Sequence, residues 1–243
     1  MFNSTYTFKS FVTADSNIFS YAAAKAVAEA PGKSYNPLFI YGSVSFGKTH
    51  LLHAIGQHVL RKKRVVRVAY LTAEQFTSEY VDAIQKNKLV AFRKNYRQTD
   101  LLLIDDIQHL GGKVRMQEEL FHTFNFLHEA HSQIVIAGNC SPSEIQCLEK
   151  RLVSRFEWGL VVELHQPDTE TRLAILRNKQ LASIKIPDDI LHFLADRIRT
   201  DIRRLEGAMM HVASYATLTG KKLTLKLVEN ILWKILQEER KVA

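Results

Sequence analysis

The sequence predicts an α/β fold: a parallel sheet covered by helices on both faces, followed by a smaller all-helical domain. Two observations carry this. Five short apolar runs, PLFIY at 37–41, VVRVAYL at 65–71, DLLLID at 100–105, QIVIAG at 133–138 and GLVVEL at 159–164, read as strands. They are separated by segments whose apolar residues recur at helical spacing. Strands that are apolar throughout and joined by helical crossovers imply a parallel sheet buried on both faces. The second observation is that this alternation stops at His165-Gln166-Pro167-Asp168, after which only helical patterns follow. The expected division is therefore 1–165 for the α/β domain and 166–243 for the helical one.

Each element has a local reason. Ser16 is positioned to cap a helix over 17–30 that stops before Pro31-Gly32. KTHLLHAIGQHVL at 48–60 follows the first strand with helical periodicity. Thr72 and Gln75 have the spacing of a capping box for a helix over 73–85, and LVAFRKNYR at 89–97 makes a second helix in the same crossover. Helices over 116–130 and 148–156 complete the α/β part. Beyond the boundary Asp168 caps a helix over 169–182, and a second covers 186–198. A third over 201–218 ends at Gly220, and Thr224 starts a fourth over 223–242.

Composition narrows the class. The chain has 243 residues, 46% hydrophobic and 24% charged, as in ordinary globular proteins. No apolar stretch approaches the roughly 20 residues needed to span a bilayer. The start, MFNSTYTFKSF, lacks the basic end and apolar core of a secretory signal. Two cysteines, Cys140 and Cys147, read as reduced thiols and do not assemble a zinc site. These features predict a cytoplasmic protein with no membrane partner. The net charge of +8 suits a polyanionic partner such as nucleic acid, with basic runs at 61–64, 86–88, 93–97 and 197–204. The run at 61–64 reads first as the solvated end of a helix, where positive charge complements the dipole.

The chemistry is concentrated between the first strand and its helix. Gly42-Ser43-Val44-Ser45-Phe46-Gly47-Lys48-Thr49 fits G-x-x-x-x-G-K-[ST] in full. Gly42 and Gly47 allow the backbone to wrap around phosphate oxygens, and the next helix presents free N–H groups and a positive dipole end. Lys48 reaches the β- and γ-phosphates, and Thr49 offers its hydroxyl to Mg²⁺. Downstream, LLLIDD delivers Asp105 and Asp106 to the carboxyl end of a buried strand, the edge at which open α/β sheets bind ligands. One carboxylate can hold Mg²⁺ and the other can orient the attacking water.

NPLFIYG, GKTHLLHAIG, LLLIDDIQ, FHTFN, SRFEWGL, PDTETRLAIL and RRLEGA together resemble the AAA+ domain of the bacterial replication initiator DnaA, over nearly the whole chain. The resemblance implies a sheet of order 5-1-4-3-2 with a helical lid. It implies ATP binding with Mg²⁺, slow hydrolysis to ADP as an off-switch, and assembly of copies into a helical filament at the replication origin. By position it assigns residues 42–49 and His50 to the nucleotide. Asn139 becomes the sensor near the γ-phosphate, Arg155 the finger that reaches a neighbouring subunit's ATP, and Arg151 a subunit contact. Arg203 becomes the lid arginine. Val81, Lys113 and Arg115 match residues that grip single-stranded DNA.

The family reads duplex origin sequence through a C-terminal helix-turn-helix domain, absent from these 243 residues together with the N-terminal domain. A short regulator or helicase-loader ATPase of the same superfamily is the alternative reading. The chain departs from the family pattern at Ser45, usually glycine and strained if φ is positive there, at Asn139-Cys140, often Asp-Arg, and at Lys150, usually aspartate.

Overall fold

The apolar runs form one five-stranded sheet. The strands are β1 (Leu38–Tyr41), β2 (Val68–Thr72), β3 (Leu101–Asp105), β4 (Gln133–Gly138) and β5 (Leu160–Glu163). Every pairing is parallel and the order is β2-β3-β4-β1-β5, the expected 5-1-4-3-2 read from the other edge. The computed structural model describes residues 2–62, 66–180 and 186–242. Lys63, Arg64 and Val65, which belong to the basic run and to the expected second strand, lie outside the described residues, as do 181 and 182 of the expected lid helix. The described chain divides into two units. One comprises Met1–Phe11, Asn17–Ser43 and Gly47–His165; the other comprises Val12–Ser16, Val44–Phe46 and Gln166–Ala243.

In the first unit β3 and β4 are buried at every position, which is why their sequences carry no polar alternation. α1 (Ile18–Glu29), which precedes β1, and the crossover helices α2 (Lys48–Lys62), α3 (Ala73–Gln85), α4 (Leu89–Arg97), α5 (Val114–Glu129) and α6 (Lys150–Glu157) surround the sheet. Phe39, Phe76, Phe124 and Phe156 fill the core with Leu102, Ile104 and Ile136. The expected capping box is present: the Gln75 N–H donates to Thr72 Oγ1 at 3.1 Å and the Thr72 N–H donates to Gln75 Oε1 at 2.9 Å. Ser16 does not cap α1. The helix starts at Ile18, so Asn17 takes the cap position without a side-chain cap bond, and the Ser16 hydroxyl, one residue too early, is buried with no hydrogen-bond partner among the described residues.

The basic run at 93–97 is largely committed to the fold. Arg93 Nε and its terminal nitrogen reach Glu119 at 3.0 and 2.8 Å, and Arg97 reaches the same carboxylate at 3.0 Å. Glu119 is buried, which disfavours its charged form, yet the two arginines outweigh that and hold its pKa below the ordinary value.

Among the described residues the regular elements of the second unit are helices: α7 (Thr169–Lys179), α8 (Asp188–Arg197), α9 (Ile202–Thr219), α10 (Leu225–Ile231) and α11 (Trp233–Val242). Asp168 caps α7 by accepting the Thr171 N–H at 2.7 Å, and Asp201 caps α9 by accepting the Arg203 N–H at 2.7 Å. Gly220, at φ 67°, ends α9 in the left-handed region. Leu173, Leu176, Leu194, Leu205, Val212 and Leu232 build its core. The last helix is two rather than one. Leu232, at φ −98° and ψ 10°, separates them, although its N–H still reaches the Val228 carbonyl at 2.9 Å. In α11, Glu239 is buried and accepts the backbone N–H of Arg199 at 3.1 Å and the Thr200 hydroxyl at 2.6 Å.

Thr72→Ala removes the cap of α3 and is expected to lower stability by about 1 kcal/mol, read as a shifted denaturant midpoint. A carboxyl whose folded pKa is depressed stabilises above its unfolded pKa and loses that contribution as pH falls. Glu119→Gln is therefore expected to be less stable than the parent at neutral pH. The gap should close as pH falls through and below the ordinary glutamate value of 4.5, measured by denaturation across pH.

Candidate functional site

The chain leaves β1 and enters α2 through residues 42–47. Gly42 adopts φ 149°, and a Cβ there would lie 2.3 Å from the Leu164 carbonyl oxygen, so no side chain fits. Ser45 adopts φ 67°. A left-handed serine costs about 1 kcal/mol where glycine costs almost nothing. The strain foreseen for Ser45 is therefore in the backbone.

Lys48 opens α2 and is only 7% exposed. Its ammonium donates to the carbonyls of Gly42 at 2.7 Å and Ser43 at 2.8 Å, which places the charge inside the curl of the loop. Thr49 Oγ1 donates to Asp105 Oδ2 at 2.7 Å. Asp105 is 2% exposed. Tyr70 donates to the same oxygen at 3.3 Å, and the Asp106 N–H donates to Oδ1 at 3.0 Å. Burial pushes the Asp105 carboxyl above the ordinary aspartate value, and the Asp106 charge adds to this; the Thr49 bond opposes it without cancelling it. A hydroxyl and a carboxylate in contact form a hard-oxygen pair, and this donor set fits Mg²⁺.

Asp106 takes a left-handed conformation, φ 53° and ψ 46°, that turns the chain from β3 into a 3₁₀ turn at Ile107–Leu110. Gln108 in that turn donates from Nε2 to Asp106 Oδ1 at 3.1 Å and accepts the Asn139 N–H at 3.2 Å. The ends of β3 and β4 are thus joined, which brings Asp106 and Asn139 together. His50 faces elsewhere: its Nε2 lies 2.9 Å from the Thr7 carbonyl and its ring stacks on Tyr6 at 4.8 Å.

Arg151 and Arg155 project from α6. Arg151 pairs with Glu149 and lies 4.8 Å over the Phe121 ring. Arg155 lies 4.7 Å over Trp158, on which the His128 ring stacks at 4.8 Å. Lys150, Val153, Arg155 and Trp158 line a groove of about 930 Å³ with Ile145 and Leu148. Val81 on α3, and Lys113 and Arg115 at the start of α5, are all exposed. In the second unit Arg197, Arg199 and Arg204 make ion pairs, whereas the exposed Arg203 makes none among the described residues.

Two residues of the site escape the sequence reading. Gln108 stands two positions after Asp106 in LLLIDDIQ, and Tyr70 lies on β2, which pairs with β3. Their roles arise from contacts that spacing alone does not give.

A parallel 5-1-4-3-2 sheet with a phosphate loop after its first strand and a buried aspartate on its third defines the class: a P-loop protein of the AAA+ type. Residues 2–163 match the family described as the bacterial DnaA ATPase domain, and the chain belongs to it. It is 52% identical over 232 residues to the chromosomal replication initiator protein DnaA of Methylacidiphilum infernorum (isolate V4), covering 95% of this chain and 51% of that one. The chain thus spans about half the length of that relative.

Domain III of the Thermotoga maritima replication initiation protein DnaA superposes with a TM-score of 0.94 at 44% identity, covering 97% of this chain and 99% of that one. A replication initiator DnaA bound to AMPPCP and single-stranded DNA gives 0.82 at 35% identity, covering 99% of this chain and 71% of the other.

An aspartate whose folded pKa is raised costs stability wherever it is ionised, and that cost disappears as pH falls and the carboxyl protonates. Asp105→Asn is expected to melt at a higher temperature than the parent at neutral pH. The advantage should shrink as pH falls towards 4, followed by thermal melts across pH.

Proposed function

We propose that this chain is the ATP-controlled assembly module of a replication initiator. It binds ATP with Mg²⁺ at residues 42–49, associates with further copies of itself at the origin and engages single-stranded DNA. Slow hydrolysis to ADP resets it. The two parts, 1–165 and 166–243, serve as nucleotide-binding domain and lid. The observation that carries the reading is the contact of Thr49 with Asp105 at 2.7 Å beside the Lys48 ammonium inside its loop. The DnaA structure bound to AMPPCP and single-stranded DNA supports it.

The residues act as follows. Backbone N–H groups of the loop, from Gly42 through Ser43, Val44, Ser45, Phe46 and Gly47, and of the first turn at Lys48, Thr49 and His50, cradle the phosphates. Lys48 exchanges its two carbonyl partners for phosphate oxygens. Thr49 and Asp105 would hold Mg²⁺, which when bound neutralises charge on the phosphates. Asp106 orients the attacking water, and Asn139 contacts the γ-phosphate. Cleavage separates the γ-phosphorus from its bridging oxygen and leaves ADP and phosphate. Arg203 grips the nucleotide from the lid.

Arg155 reaches the nucleotide bound by an adjacent copy, with Arg151 in the same contact. A guanidinium suits both roles because it meets phosphate oxygens in two-pronged fashion. Val81, Lys113 and Arg115 form the DNA grip: two cations for the backbone and one apolar contact. Among the described residues no helix is long and apolar enough to cross a membrane, and a cytoplasmic site of action fits this reading.

Lys48→Ala is expected to abolish ATP binding in a calorimetric titration. Asp106→Asn should keep that binding and lose turnover. Arg155→Ala should bind ATP normally yet fail to assemble with ATP, Mg²⁺ and single-stranded DNA in sedimentation. Equal assembly of the parent chain in ATP and in ADP would overturn the proposal.

A further inference from the structure

Gln108 uses both ends of its side-chain amide. Nε2 donates to Asp106 Oδ1 at 3.1 Å, and Oε1 accepts the backbone N–H of Asn139 at 3.2 Å. The partners fix the amide's orientation. A carboxylate oxygen requires a donor and an N–H requires an acceptor, so a flipped amide would lose both bonds. Among the described residues Gln108 is the one hydrogen-bond partner of the Asp106 carboxylate.

The side chain also springs from a firm base. Its 3₁₀ turn is flanked by the buried Ile107 and Leu110, and the His109 N–H closes back on the Asp106 carbonyl at 3.1 Å. Asp106 itself sits in a left-handed conformation that few side chains adopt without surrounding support.

We propose that Gln108 is a positioning residue for ATP turnover: a crossbar that sets the Asp106 carboxylate and ties it to Asn139. The inference rests on the function proposed above and adds to it a residue that neither strand supplies. A carboxylate that orients water must present one oxygen in a fixed direction. Gln108 holds Oδ1 and leaves Oδ2 for the water. The same amide holds the Asn139 backbone, so the two groups facing the γ-phosphate keep a fixed separation. Lys48 and Thr49 make their own contacts, with Gly42, Ser43 and Asp105, so nucleotide binding does not depend on the crossbar.

Two substitutions separate the two bonds. Gln108→Leu removes both. Gln108→Glu retains an acceptor for Asn139 but has no donor for Asp106 and sets a like charge beside it. In the 243-residue chain with ATP and Mg²⁺, both variants are expected to lose about tenfold or more in kcat, with ATP affinity unchanged within about twofold. Amide hydrogen exchange at Asn139 should stay slow in Gln108→Glu and become fast in Gln108→Leu. A merely structural role would lower ATP affinity and melting temperature together with kcat, and that result overturns the inference. So does parental kcat in either variant. The parent and Asp106→Asn are run in the same assay. A parent without turnover, or an Asp106→Asn that matches it, overturns the proposed function and this inference with it. An active parent, an inactive Asp106→Asn and unaffected Gln108 variants overturn this inference alone.

Discussion

The hydroxyl of Thr49 and the carboxylate of Asp105 meet across the sheet. Thr49 stands in the first turn of the helix after β1, Asp105 ends β3, and β4 lies between those two strands. One short bond therefore fixes where the positive end of α2 stands relative to the carboxyl edge. It requires a charged group to be buried beneath the loop, which is unfavourable without partners, and Thr49, Tyr70 and the Asp106 N–H supply them only in part. The remaining imbalance is what the cation proposed for this site would relieve, so a feature costly to the fold would be the one that serves the proposed chemistry.

The parallel sheet decides which residues are held rigidly. All five strands point the same way, so the segments leaving β1, β3 and β4 emerge along one edge and bring the glycine loop, Asp106 and Asn139 there. The fully buried β3 and β4 are the firmest supports available in this unit. Val81, Lys113, Arg115, Arg151 and Arg155 instead stand on α3, α5 and α6 or at their starts, on helices that surround the sheet. The chain thus separates the groups proposed to act on the nucleotide from the groups proposed to meet DNA or a second copy.

Much of this was legible in the sequence, and the reasons are local. The strand at 133–138 and the helices at 73–85 and 89–97 follow from apolar spacing and, for 73–85, from the Thr72–Gln75 pair. The phosphate loop and LLLIDD were legible because a fixed spacing carries them. The misreadings are of two kinds. Ser16 has the right type for a cap but stands one residue early, and nothing in the sequence excludes the neighbouring register. The break at Leu232 comes at an ordinary leucine that stays in the core, without proline or glycine to announce it. Gln108, Tyr70 and the pairing of Arg93 and Arg97 with Glu119 depend on contacts between separate elements. No pattern along the chain reports these.

The ring of Trp158 is 60% exposed, with the Arg155 guanidinium over it and the His128 imidazole stacked against it. An indole in that setting is an optical sensor. Its emission responds to the polarity around it and to the groups in contact with the ring. Any molecule that settles on this part of α6, or draws Arg155 away, changes its light output, so the native chain carries its own fluorophore at that surface.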